Sequence, residues 1–356
     1  MAKIIVGMSG GVDSAAAALL LKQEGHEVIG VTLRTWNSDD GYESRCCEIE
    51  DARVVAWKLG IPYHVFNCIN DFREKVTKPF VDSYLNGMTP NPCIECNRYV
   101  KWDKMMYITD ILRADYIATG HYASVVRMDN GRYTVKKALH SEKDQTYMLY
   151  KLTQEQLART LMPVGKYSKD EVRKIAVDAG LPVAKKPDSQ EICFVTQGDY
   201  TDFITKNSES GIPGEGWFVD SEGNRLGKHK GIIHYTIGQR KGLGLSMGTP
   251  VYVNKILPEN NEVVVGGIEE LYVTGIICSE VNYLSISGLE TGEQLRCKVK
   301  IRYHHPGRDA VVEAVNDHEV KIYFDQPVKS VAPGQSAVFY DDNDCVIGGG
   351  IIQKIL

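Results

Sequence analysis

Along the first half of the chain, short apolar runs alternate with longer segments of helical character. Lys3-Ile4-Ile5-Val6 reads as a buried strand, Gly7 to Ser14 as a tight loop, and the alanine-rich Ala15 to Leu21 as a helix. His26 to Leu33 is β-rich and predicts a second strand. Ile49 to Leu59 predicts a helix stopped by Gly60, with Pro62 just beyond it. Tyr63 to Phe66 follows as a third strand, with Asp71 placed to cap the next helix. Asp115 to His121 is a further strand ending in a glycine turn. Such alternation predicts a doubly wound parallel sheet, with ligands bound at the carboxyl ends of its strands. Leu33, Gly120, His121 and the loop from Gly7 to Ser14 all fall at such ends.

From Gln145 to Gly180 the pattern is mainly helical and includes a helix over Lys169 to Ala179. From about Gly211 the texture changes. Gly, Pro and short β-branched runs dominate, among them Gly216 to Val219, Val251 to Val253, Val263 to Val265, Arg296 to Tyr303, Val311 to Ala314, Val320 to Phe324 and Gln335 to Tyr340. Short strands at close spacing predict a β-rich region ending in a barrel. The expected architecture is α/β followed by β. A PP-loop-type ATP-binding domain spans 1–206, a small central β-rich domain 207–271 and a C-terminal barrel-like domain 272–356.

The 356 residues suffice for two or three domains. No apolar run approaches the roughly 20 residues needed to cross a membrane, and no secretion signal opens the chain. Nine cysteines, irregularly spread, do not resemble an extracellular disulfide framework. A cytoplasmic protein with reduced thiols is expected, most simply a monomer. The net charge of −5 argues against a nucleic-acid partner, but its distribution argues the other way. Arg225, Lys228, Lys230, Arg240, Lys241 and Lys255 lie in a stretch without an acidic residue. So do Arg296, Lys298, Lys300, Arg302 and Arg308. Each cluster alone reads as a solvated face; together they predict a surface for a polyanion.

Candidate chemistry begins at Gly7-Met8-Ser9-Gly10-Gly11-Val12-Asp13-Ser14. The glycines let the backbone turn sharply, two serines supply hydroxyls, and the amides at the helix start face outward with partial positive charge. No lysine precedes Ser14, so this is not a Walker A loop. The segment resembles the PP-loop of N-type ATP pyrophosphatases, which activate an oxygen by transferring AMP to it.

Two cysteine neighbourhoods stand apart: Asn91-Pro92-Cys93-Ile94-Glu95-Cys96-Asn97, stiffened by prolines, and Asp188-Ser189-Gln190-Glu191-Ile192-Cys193-Phe194. Cys68, Cys278, Cys297 and Cys345 read as small buried hydrophobes, and Cys46-Cys47 has no assigned reading. One C-x-x-C without a second pair, or histidines at zinc spacing, argues against structural zinc. A thioredoxin-like redox motif is also a poor match.

These segments, with Ala118-Thr119-Gly120-His121-Tyr122, Lys143-Asp144-Gln145, Gly238-Gln239-Arg240-Lys241-Gly242 and Pro333-Gly334-Gln335, keep an order and spacing that resemble the bacterial tRNA 2-thiouridylase family over nearly the whole chain. The resemblance implies ATP, with Mg2+, held by Gly7, Met8, Ser9, Gly10, Gly11, Val12, Asp13, Ser14, Leu33 and Gly120. It implies a flipped wobble uridine, in tRNAs for lysine, glutamate and glutamine, facing Asn91, Pro92 and Cys93. Cys193 would carry a persulfide from a sulfur-relay donor, and Cys96 would resolve it by forming a Cys96–Cys193 disulfide. His121, Lys143, Asp144, Gln145, Arg302, Tyr303 and Gln335 would contact tRNA. Cys93, at a position where the family carries cysteine or aspartate, leaves open an iron–sulfur cluster on Cys93, Cys96 and Cys193. Outside the motif context His121 could cap a strand end, Lys143 and Asp144 could be surface charges, and Tyr303 a barrel residue. Two other functions remain: a PP-loop ligase forming an amide or amidine, and a non-catalytic RNA-binding or redox-sensing protein.

Overall fold

The structure, a computed structural model, describes residues 1–36, 48–187, 192–195 and 198–356. Its N-terminal sheet is parallel and five-stranded in the order β3-β2-β1-β4-β7. These strands are β1 (Lys3–Gly7), β2 (Glu27–Arg34), β3 (Tyr63–Asn67), β4 (Tyr116–Ala118) and β7 (Thr160–Leu161). Between β4 and β7 the chain makes a hairpin, β5 (Ala123–Arg127) with β6 (Tyr133–Lys137).

Alternation along β1 decides which layer each side chain enters. Ile4 and Val6 pack with the alanines of α1 (Val12–Gln23), with α2 (Ile49–Leu59) and with a helix further on, α8 (Lys169–Asp178). Ile5 points the other way. It joins the large core formed by α3 (Ile69–Phe72), a π-helical turn Arg73–Thr77, α4 (Lys78–Leu85), α5 (Pro92–Glu95), a second π-helical turn Cys96–Trp102 and α6 (Asp103–Ile111). The short α7 (Gln154–Ala158) precedes β7, and α9 (Tyr200–Asn207) leads out of this region.

Gly60 ends α2 at φ 60° and Gly180 follows α8 at φ 64°, as the glycine stops predict. Asp71 does not cap a helix. Cys68 occupies that place before α3, and Asp71 lies in the first turn, paired with Lys104 at 2.7 Å. The stretch from Gln145 to Gly180 is less helical than expected, because short 3-10 turns and β7 interrupt it.

The central region is a four-stranded sheet in the order β10-β11-β8-β9, from β8 (Gly216–Val219), β9 (Arg225–His229), β10 (Tyr252–Leu257) and β11 (Glu262–Gly266). The C-terminal strands are β12 (Tyr272–Tyr283), β13 (Gln294–Lys300), β14 (Arg308–Asn316), β15 (Glu319–Lys329), β16 (Ser336–Tyr340) and β17 (Val346–Ile355). They close into a six-stranded barrel in the order β12-β15-β14-β13-β16-β17. Among the described residues no helix is long and apolar enough to cross a membrane.

Candidate active site

The loop after β1 turns through Gly10, whose φ of +81° suits glycine. A side chain there would also strike the Glu48 carbonyl oxygen at 2.6 Å. The loop is laced by its serines. Ser9 N–H donates to Ser14 Oγ at 3.2 Å, and the Ser14 hydroxyl donates to the Gly11 carbonyl at 3.1 Å. Gly11 caps α1 without a side-chain bond, so the first turn keeps its amides available to an anion. Gly120, just past β4, presses on that turn: a Cβ there would meet Ser14 N at 2.6 Å. Both glycines are thus forced by close approach, and the cradle lies at the carboxyl ends of adjacent strands.

Asp13 would repel phosphate if it stood alone. Instead Lys169 Nζ reaches its two carboxylate oxygens at 2.8 and 2.9 Å, and the Tyr122 hydroxyl donates to it at 2.7 Å. Lys169 begins α8 and is largely buried. It also borders a cleft of about 690 Å³ lined by His140, Lys143, Ser168 and Arg173 among others.

The cysteine loop is built as a short helix on a stiff entry. Asn91 caps α5 by accepting the Cys93 N–H at 3.2 Å, with Pro92 at the first helical position. Cys93 is exposed and Cys96 buried. The π-helical turn that starts at Cys96 runs into α6, whose Met105 sulfur would lie 3.0 Å from a Cβ at Gly7. At its other end Trp102 packs against His121, ring centroids 5.3 Å apart and planes tilted by 48°. One turn of chain therefore joins the Cys96 segment to the strand end that touches the phosphate cradle.

His121 accepts or donates at Thr119 Oγ1, 2.9 Å away. Burial, reinforced by the Lys101 charge, lowers its pKa to about 3, so the ring is neutral at physiological pH. Asn97, beside Cys96, donates to the Met148 carbonyl at 3.0 Å, while its buried Oδ1 has no hydrogen-bond partner among the described residues.

Cys193 lies in the short described stretch 192–195 and packs on the same core that buries Cys96. Phe194 beside it fixes the place, with its ring 5.7 Å from Phe72 and 5.3 Å from Phe80. Both thiol segments border the same extended apolar core. Asp188 to Glu191 and Cys46-Cys47 lie outside the described residues. Among the described residues, which include Cys93, Cys96 and Cys193, no three His, Cys, Asp or Glu groups gather to hold a metal ion. The three thiols as placed do not form a cluster ligand set.

Cys68, Cys278, Cys297 and Cys345 are all buried, as read from the sequence. Burial pushes the Cys297 thiol up to about 12 and Cys278 higher still.

The remaining candidates come from the barrel and the 140s. Asp144 is buried and accepts from the Thr146 amide and hydroxyl, and burial raises its pKa. Gln145 accepts the Tyr122 N–H at 2.9 Å. Tyr303 is half-buried, 6.3 Å from the Tyr147 ring, its pKa raised by burial and by the charges of Asp144 and Cys93. Arg302 is exposed and donates to the Lys329 carbonyl at 3.1 Å. Gln335 donates to the Thr89 carbonyl at 2.8 Å, two residues before Asn91. Lys169, Lys151 and Glu280 went unnoticed in the sequence, because their partners stand far away along the chain.

Three family models together cover the chain: the tRNA methyl transferase HUP domain over residues 2–197, its PRC-barrel domain over 201–267 and an aminomethyltransferase beta-barrel domain over 273–352. The tRNA-specific 2-thiouridylase MnmA of Clostridioides difficile (strain 630) is 51% identical over 99% of both chains. That of Lachnoclostridium phytofermentans is 49% identical over 99% of this chain and 100% of its own. The enzyme named MnmA 2 of Caldanaerobacter subterraneus subsp. tengcongensis is 52% identical over 99% and 98%. The chain belongs to the MnmA family of tRNA-specific 2-thiouridylases.

Proposed function

We infer that this protein is a sulfurtransferase that 2-thiolates the wobble uridine of tRNA, using ATP to activate the base. The observation that carries the reading is the short physical link from the Gly120 face of the phosphate cradle, through His121 and Trp102, to the turn that starts at Cys96.

In this reading the ATP phosphates lie on the Ser9–Ser14 loop, with Leu33 and Gly120 against the nucleotide and Mg2+ accompanying it. The C2 oxygen of uridine attacks the α-phosphorus and pyrophosphate leaves, so a poor leaving group becomes AMP. Neutralisation of Asp13 by Lys169 and Tyr122 lets the loop accept this polyanion without repulsion. A persulfide on Cys193, loaded by a persulfide donor protein, attacks C2 through its terminal sulfur. The Cys96 thiolate then attacks the Cys193 sulfur and the S–S bond of the persulfide breaks. The transferred sulfur stays on C2 as AMP departs, and a Cys96–Cys193 disulfide remains for a thiol reductant. Asn91, Pro92 and Cys93 face the base, and His121, Lys143, Asp144, Gln145, Arg302, Tyr303 and Gln335 line the RNA. The substrates are the lysine, glutamate and glutamine tRNAs, and the protein works as a cytoplasmic monomer.

The test is mass analysis of nucleosides from unmodified tRNA incubated with the protein, ATP and a persulfide donor. The expected result is 2-thiouridine with equimolar AMP, abolished in Cys193→Ser. Thiolation surviving that substitution would overturn the assignment of Cys193. A methylated nucleoside or an ammonia-dependent product would overturn sulfur transfer itself.

A further inference from the structure

Lys151 is almost wholly buried between two carboxylates that come from different parts of the chain. Its Nζ reaches Glu95 at 2.8 Å and Glu280 at 3.0 Å. Glu95 ends α5, between Cys93 and Cys96. Glu280 belongs to β12, the first strand of the barrel. Burial alone would lower the Lys151 pKa, but the charges of Glu95 and Glu280 outweigh it and the net direction is upward.

The barrel side of this contact is specially shaped. The pairing of β12 with β17 slips between Ser279 and Asn282, and Glu280 sits at φ +49°. A non-glycine residue in this left-handed region is held against a backbone cost, so its surroundings must fix it. Two residues on, Asn282 donates to the carbonyls of Tyr150 at 2.6 Å and Leu152 at 3.1 Å, on either side of Lys151. One irregularity in one strand thus aims two side chains at a single three-residue segment. A second barrel contact meets the cysteine loop from its other end, where Thr89 N–H donates to the Pro333 carbonyl at 2.8 Å.

We propose that Lys151 is a positioning residue for the thiol-bearing turn: seated by Glu280 of the barrel, it holds Glu95 and thereby sets where Cys96 stands. This rests on the reading of Cys96 as the resolving thiol. Glu95 is one residue from Cys96 and lies where α5 passes into the π-helical turn, so its carboxylate sits at the change of helical register that places the thiol. A displaced carboxylate moves the sulfur with it. The barrel is then part of the sulfur-transfer centre, whereas the phosphate cradle is assembled from β1, α1 and β4.

The test uses full-length Lys151→Met, Lys151→Arg and Glu280→Gln. Glu280 is well exposed, so its variant folds even if Lys151→Met, which strands a partly buried carboxylate, does not. The first readout is the rate of Cys96 alkylation by iodoacetamide relative to that of exposed Cys93, followed by peptide mass. Single-turnover pyrophosphate release and 2-thiouridine formation are measured beside it. Lys151→Met and Glu280→Gln are expected to change the Cys96-to-Cys93 ratio by about fivefold or more, since thiol reactivity follows access and ionisation. Thiolation should fall by up to about 100-fold in Lys151→Met, the scale of an ångström-sized misplacement, with pyrophosphate release little changed. Lys151→Arg should restore much of the loss. An unchanged alkylation ratio in Glu280→Gln, or parallel loss of pyrophosphate release and 2-thiouridine, would overturn the proposal. Normal thiolation by Cys96→Ser would instead sink the role of Cys96, while the alkylation ratio would still report whether Lys151 sets the turn.

Discussion

At the scale of single residues, chemistry in this protein depends on which charges are neutralised and which groups stay neutral. Asp13 is held by Lys169 and Tyr122, 156 and 109 residues away in sequence. The glycines and serines of the loop are legible because their role is local. The pairing of Asp13 is not, since no spacing rule links a loop to a helix so distant. His121 shows the same limit: its place at a strand end could be read, its tilted contact with the Trp102 ring could not. Its folded pKa of about 3 lies below the unfolded value of about 6.5. The unfolded chain therefore binds the extra proton first, so the His121 contribution to stability is present above about pH 6.5 and is lost as pH falls toward 3. Urea midpoints measured at pH 7 and pH 5 should drop further in wild type than in His121→Phe, which retains an aromatic ring against Trp102. Equal drops would show that His121 is not held neutral.

Elements carry the next level. Strand–loop–helix alternation was readable because the period changes from 2 to 3.6 at Ser14, and the glycine stops of α2 and α8 are chemical punctuation. The cysteine turn was not readable as structure. A four-residue helix continued by a π-helical turn has no periodic signature, and its geometry is set by the packing of Ile94, Val100 and Trp102 in the core. Asp71 shows how a capping residue type can mislead when the helix begins two residues earlier. Gly120 is where two elements meet most tightly. Gly120→Ala would drive a methyl group into the backbone of Asp13 and Ser14 at 2.6 Å. The expected cost is about 1–3 kcal/mol of stability by overpacking, together with weakened ATP binding. Calorimetric titration with ATP and a thermal melt check both; unaltered binding would mean that the cradle does not depend on this contact.

Over the whole molecule, three regions of different construction converge on one place. The α/β sheet supplies the phosphate cradle, helices packed on it supply the thiol turn, and the barrel fastens that turn through Gln335, Glu280 and Asn282. Barrel and sheet were both expected from the sequence, but not their docking, because it rests on loops and on a bulge. Folding brings acids to both basic clusters, and in the central sheet Lys228 meets Glu215 at 3.1 Å. In the barrel, Lys298 meets Asp309 at 3.2 Å and Arg296 pairs with Asp325, so strand pairing supplies the acids the linear stretch lacked. In the central region Arg225, Lys230, Arg240, Lys241 and Lys255 are exposed. Replacing Arg240 and Lys241 with alanine should weaken tRNA binding across substrates and lower the salt slope by about one for each lost phosphate contact. An unchanged slope would place the RNA elsewhere. Sulfur transfer as proposed requires the thiols of Cys96 and Cys193 to meet. Its most direct measurement is peptide mapping after a single turnover without reductant, counting disulfides against 2-thiouridine. The account predicts one Cys96–Cys193 disulfide for each thiolated base; 2-thiouridine formed while both thiols stay reduced would contradict it.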